Sequence, residues 1–125
     1  MEKDIILEES KNSPGITYYP TNKNLEIFGR SIPEDPETVY SVVTGWLTSY
    51  FDTETRLNVK IKLEYVNSGS AKCLLQVLKR LTDYHRSGRQ VRIKWICEAD
   101  DDSMVDLGEN FLSMPGIPLE IEKAG

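Results

Sequence analysis

The segment "LNVKIKLEYV", residues 57–66, alternates strictly between apolar and polar side chains. Leu57, Val59, Ile61, Leu63 and Tyr65 fall on one side of an extended chain, and Asn58, Lys60, Lys62 and Glu64 on the other. "QVRIKWICE", residues 90–98, repeats the pattern, with Val91, Ile93, Trp95 and Cys97 opposed to Arg92, Lys94 and Glu98. "PLEIEK" adds Glu120 and Glu122 to the polar set. A sheet covered by helices on both faces needs continuously apolar strands. Such cover would bury these charges at prohibitive cost. Helices must therefore pack on one face and leave the other wet.

The connecting segments supply those helices. After "SIPEDPE", where Asp35 suits a cap and Pro36 the first helical position, Val39, Val42, Val43, Trp46, Leu47 and Tyr50 recur at helical spacing. A second helix turns Ala71, Leu74, Leu75, Leu78 and Leu81 inward and Lys72, Gln76, Lys79, Arg80 and Asp83 outward, with Gly88 just past its end. A third fits 102–113, with Met104, Leu107, Phe111 and Leu112 on its buried side. "ITYYP" and "NLEIFGR" flank the polar "TNKN" as a hairpin. The order β-β-α-β-α-β-α-β, with right-handed crossovers, predicts an α/β fold: a two-layer domain with a mixed β-sheet and helices packed on one face.

At 125 residues the chain is expected to form one domain over 1–125, with residues 1–15 as a loosely ordered arm carrying at most a short edge strand over Ile5 to Leu7. A net charge of −5 argues against nucleic acid as a partner, because phosphate binding requires clustered Lys and Arg. No apolar run approaches the roughly 20 residues that span a bilayer, so no membrane partner is expected. The acidic N-terminus lacks signal-peptide features, which points to a cytoplasmic location. Cys73 and Cys97 lie in apolar patterns and read as reduced, buried thiols. One histidine and no Cys-x-x-Cys leave no support for a zinc site, and no cofactor is expected.

The chemistry concentrates at "VNSGSAK", residues 66–72, where the third clear strand, 57–66, gives way to the second helix. Functional sites in open α/β sheets lie outside the carboxyl ends of strands. A hydrolase elbow, a Ser-x-x-Lys nucleophile and a phosphate-cradling Gly-rich loop all fail on spacing. His85, the only histidine, falls at the far end of the helix, so a serine nucleophile would lack its base. A receiver domain would need an aspartate where Asn67-Ser68 stand, and the acids of "EADDDS", 98–103, are explained by a helix N-terminus. Ser68 has two readings. It caps the helix, or it is a serine that is acted upon: a phosphate there would add a charge of about −1.5 to −2 where a helix N-terminus tolerates an anion.

These residues carry a family resemblance. "LEYVNSGSAKCLLQVLKRL" followed by "GRQVRIKWICEADDDSMVDLGENF" resembles the SiaC family of bacterial regulatory phosphoproteins, and the likeness begins near "ITYYPTNKNLEIFGRSIPEDP". The resemblance implies a STAS-like, partner-switching domain that is not an enzyme. It implies phosphorylation at Ser68 by a cognate Ser/Thr protein kinase and dephosphorylation by a PP2C-type phosphatase. The unmodified form would bind and activate a diguanylate cyclase, raising cyclic di-GMP and favouring biofilm. Asn67, Gly69, Ser70 and Lys72 would frame the partner contact. Two departures stand out: serine at 68 where relatives carry threonine, and Gly69 where serine is common, which leaves Ser70 as the rival acceptor. The alternative is a STAS-like sensor that binds a small ligand or nucleotide at the same corner.

Overall fold

In the computed structural model, which describes residues 2–125, the alternating segments are strands of one six-stranded sheet. β1 (Asp4–Leu7), β2 (Gly15–Tyr19), β3 (Asn24–Ser31), β4 (Arg56–Val66), β5 (Gln90–Glu98) and β6 (Leu119–Ala124) lie side by side in chain order. β1, β2 and β3 pair antiparallel, and β3 through β6 run parallel. The helices α1 (Pro36–Tyr50), α2 (Ser68–Arg86) and α3 (Asp102–Leu112) make the three parallel crossovers. Each crossover steps one strand along in the same direction, so a common hand puts all three helices on one face.

Strand polarity identifies that face. Leu57, Val59, Ile61, Val91, Ile93 and Trp95 are buried, while Lys60, Lys62 and Arg92 are exposed. On the open face Lys94 reaches Glu120 and Glu122 at 3.7 and 3.3 Å. Exposed pairs of this kind contribute at most about 1 kcal/mol, so they decorate the sheet rather than hold it. The core lies between the inner sheet face and the helices. Its centre is Trp95, whose indole Nε1 donates to the Met104 carbonyl at 2.9 Å and whose ring fills the space left by Gly108 of α3.

The hairpin forms as expected from "TNKN", with Lys23 in the left-handed region at φ 52°. Within residues 1–15, β1 pairs with β2, and the Asn12 carbonyl accepts from the Ile32 N–H at 2.9 Å. Asp35 caps α1, accepting from Thr38 N and Thr38 Oγ1, and Pro36 opens that helix. The Thr38 hydrogen bonds hold the Asp35 carboxyl below the usual carboxylate range. Gly88 follows the end of α2 at φ 109°, a conformation that glycine adopts without steric cost.

Three positions depart from the alternating and helical patterns. Val42 is exposed, because Tyr40 joins the buried arc of α1 and turns that arc away from it. Leu112 is exposed rather than buried; it lies about 80° around α3 from Met104, off the face made by Met104, Gly108 and Phe111. Tyr65, expected inward, is 56% exposed. Gly29 pairs with Leu63 but Arg30 pairs with Tyr65, so β4 carries one extra residue at this point. A bulge of this kind re-aims the side chains that follow. Tyr65 emerges on the open face with the Arg30 guanidinium 4.8 Å from its ring centre.

Candidate functional site

The entrance to α2 sits just beyond the carboxyl end of β4. Asn67, not Ser68, is the N-cap: its side-chain Oδ1 accepts from Ser70 N at 2.8 Å, and its carbonyl accepts from Ala71 N at 2.9 Å. The same residue ties the corner to the segment before α1. Its N–H donates to the Ser31 carbonyl at 3.0 Å, and Nδ2 donates to the Pro33 carbonyl at 3.2 Å. Both asparagine and serine are strong caps, so local pattern could not choose between them. The choice of Asn67 releases the Ser68 hydroxyl. Ser68 is exposed, and its Oγ makes no hydrogen bond to another described residue.

Ser70, expected to frame a partner contact and to rival Ser68 as acceptor, faces the other way. It is 0% exposed and belongs to a buried chain of hydroxyls. Tyr40 Oη lies 2.6 Å from Ser31 Oγ, which donates to Ser70 Oγ at 2.8 Å. With the Ser31 proton committed to Ser70, Tyr40 must donate to Ser31. Burial pushes the Tyr40 phenol up to about 12, against the smaller downward pull of the Ser31 hydrogen bond, so it keeps its proton at neutral pH. Two serines of one helical turn, two residues apart, thus have opposite fates. Ser68 is available to solvent and Ser70 is structural.

The neighbouring glycine has a steric reason. A Cβ at Gly69 would sit 2.8 Å from Pro36 Cγ, the first residue of α1. A serine at this place would press its Cβ against that ring, which gives glycine at 69 a packing reason beside Pro36. Lys72 is exposed one turn beyond Ser68, within reach of a charge there. Cys73 is half-buried rather than buried, and its thiol is pushed up by burial and then by the charges of Glu37 and Asp35. Cys97 is buried, and burial pushes its thiol up as well. Neither thiol is activated.

The supporting residues Ser31, Tyr40 and Pro33 carry no mark in their local pattern, and Pro36 is marked there only as a helix start and not as a neighbour of Gly69, because each meets α2 only through the tertiary fold. The exposed Tyr65 and the half-buried Arg30 beside it were also missed near this corner, although an isolated glycine in a strand pattern, Gly29, is a bulge signal.

The family model described as SiaC family regulatory phosphoprotein matches residues 7–124. This chain belongs to the SiaC family. An uncharacterized protein of Pseudomonas aeruginosa strain UCBPP-PA14 is 24% identical over 120 residues, 95% of each chain. Among solved structures, apo-SiaC from Pseudomonas aeruginosa is similar with a TM-score of 0.84 at 24% identity, covering 99% of this chain and 100% of that one. SiaC in a structure of the diguanylate cyclase SiaD with its activator SiaC, also from Pseudomonas aeruginosa, gives a TM-score of 0.85 at 23% identity, over 93% and 96% of the two chains. The SiaC fold is therefore the fold described above: a mixed sheet with three helices on one face. No helix among the described residues is long and apolar enough to cross a membrane.

Proposed function

We propose that this SiaC-family chain is a non-enzymatic phosphoprotein whose modification at Ser68 controls docking of a signalling partner, a diguanylate cyclase. A cognate Ser/Thr kinase adds the phosphate and a PP2C-type phosphatase removes it. The observation that carries this proposal is the free, exposed hydroxyl of Ser68 at a helix N-terminus whose first turn contains no acid. The choice of partner class draws on the related SiaC that stands in complex with the cyclase SiaD.

The geometry supports a switch in which the fold itself stays put. Ser70 N and Ala71 N are already taken by Asn67, which leaves the Ser68 and Gly69 N–H groups at the helix mouth to face a phosphate. The dipole of α2 and the Lys72 ammonium favour the same anion. A partner covering the corner meets a different situation, since burying an uncompensated charge costs several kcal/mol. Each 1.4 kcal/mol is a factor of ten in affinity, so a change of about a hundredfold or more is within reach. Asn67, Gly69 and Lys72 frame the contact in this proposal, and Ser70 supports it from inside.

Phosphate-affinity gels test the acceptor. After incubation with the kinase from its own cell, the wild-type chain should convert fully to a retarded band and Ser68→Ala should give none. A retarded band of equal intensity in Ser68→Ala would reject Ser68.

A further inference from the structure

Strict alternation along β4 would bury Tyr65 with Leu63, yet Tyr65 is the most exposed large apolar side chain among the described residues, at 56% against 51% for Ile5. The extra residue of β4 opposite Gly29 and Arg30 turns the ring out. Gly29, at φ 92°, adopts without steric cost the backbone conformation found at this irregularity. The Arg30 guanidinium lies 4.8 Å from the ring centre, while its Nε is buried and has no hydrogen-bond partner. A cation–π contact on an exposed ring stabilises less than an unmatched buried N–H destabilises. The stability of the chain by itself therefore gives no reason for the arrangement. Bulges recur beside functional sites, where they re-aim a side chain.

The functional corner is immediately adjacent. Tyr65 stands three residues before Ser68. Arg30 is followed by Ser31, whose carbonyl accepts from Asn67 N at 3.0 Å and whose hydroxyl donates to Ser70 Oγ at 2.8 Å. Ring and exposed hydroxyl are thus fixed to one hydrogen-bonded junction at the carboxyl ends of β3 and β4. Charges of both signs surround the ring: Lys62 and Glu64 are exposed on β4, and the Glu9 carboxylate lies against Gly29. Such a mixture does not select an ionic ligand. What the patch offers is an aromatic ring steadied by a guanidinium, and Tyr and Arg are among the residues that dominate protein–protein contacts.

We propose that Tyr65 is an anchor of the partner contact: the signalling partner that covers unmodified Ser68 also presents an apolar hollow to the Tyr65 ring, and Arg30 is a positioning residue that holds the ring. This inference rests on the docking reading above and names the chemistry of its contact. The test measures the affinity of a diguanylate cyclase from the same cell for the full unmodified chain, for the Ser68-phosphorylated chain, and for Tyr65→Thr, Tyr65→Phe and Ile5→Thr, with the melting temperature of each. Threonine keeps a strand-favouring side chain, so the fold is expected to hold. Tyr65→Thr should weaken binding about thirtyfold, the scale of an interface hot spot. Tyr65→Phe should stay within about threefold of wild type, and Ile5→Thr, equally exposed but on β1, should bind as wild type. Arg30→Gln should weaken binding in the wild-type background and have little further effect in Tyr65→Thr, the non-additivity expected of a residue that acts through the ring. Unchanged affinity in Tyr65→Thr, with binding still lost on phosphorylation, overturns the anchor and leaves the switch standing. Equal losses in Tyr65→Thr and Ile5→Thr also overturn it, as does a loss accompanied by a fall of several degrees in melting temperature. A wild-type chain that does not bind the cyclase overturns both readings.

Discussion

At the entrance to α2 the chain reads Asn67-Ser68-Gly69, with no acid in the first turn, whereas α3 starts from Asp101 and Asp102. The two corners are otherwise alike. Each follows a parallel strand, and each is capped by a side chain that accepts from the third residue onward: Asn67 from Ser70 N at 2.8 Å, Asp101 from Met104 N at 3.2 Å. α1 resembles α3, with Asp35 as its cap and Glu37 in its first turn. A helix N-terminus carries about half a positive charge. Two of the three are already met by carboxylates, and the third has none. The proposed switch at Ser68 would make use of that difference.

Three experiments would break or sharpen that contrast, beginning with the strongest. Ser31→Ala removes the middle of the Tyr40–Ser31–Ser70 chain and strands two buried hydroxyls beneath α2. Each such orphan costs about 1–3 kcal/mol, so urea denaturation should show a loss of about 2 kcal/mol or more. Ser103→Ala, at an exposed position of α3, should fall within about 0.5 kcal/mol of wild type. Equal effects at the two sites would mean that the hydroxyl chain does not anchor the α2 corner.

Gly69→Ser comes next. Its Cβ meets the Pro36 ring, and overpacking of this sort costs about 1–3 kcal/mol. Combining it with Pro36→Ala should recover most of the loss in a double-mutant cycle. An additive pair would sever the proposed link between the starts of α1 and α2.

Smallest, and most specific to the charge difference, is a single carboxylate placed at each entrance. Ser68→Asp should raise the unfolding free energy by about 0.3–1 kcal/mol, the worth of an acid at an unmatched N-terminus. Ser103→Asp should gain nothing, because Asp101 and Asp102 stand there already. Stabilisation at 103 with none at 68 would invert the comparison.

What was legible in the sequence follows the range of the forces involved. Strand polarity is a local, period-two signal, and Lys60, Lys62 and Arg92 opposite Val59, Ile61 and Ile93 were enough to choose a one-sided sheet. The starts of α1 and α3 were legible for the same reason, since Asp-Pro and the acidic run are short-range chemistry. Tyr65 was not, because its direction depends on how β4 registers against Gly29 and Arg30 of β3. Ser70 was not, because the Ser31 hydroxyl that buries it lies 39 residues earlier in the chain. At the site itself, residue types pointed to the corner, but which hydroxyl faces solvent was decided by Asn67 taking the cap.

The most direct measurement is the affinity of a diguanylate cyclase from the same cell for the unmodified chain and for the chain phosphorylated stoichiometrically at Ser68, each with its own melting temperature. The expected result is binding weaker by about a hundredfold or more on phosphorylation, at a melting temperature unchanged or slightly raised. Equal affinity for the two forms would contradict the account. So would a loss of binding accompanied by a fall of several degrees in melting temperature, which would mean that the phosphate had damaged the fold instead of the contact.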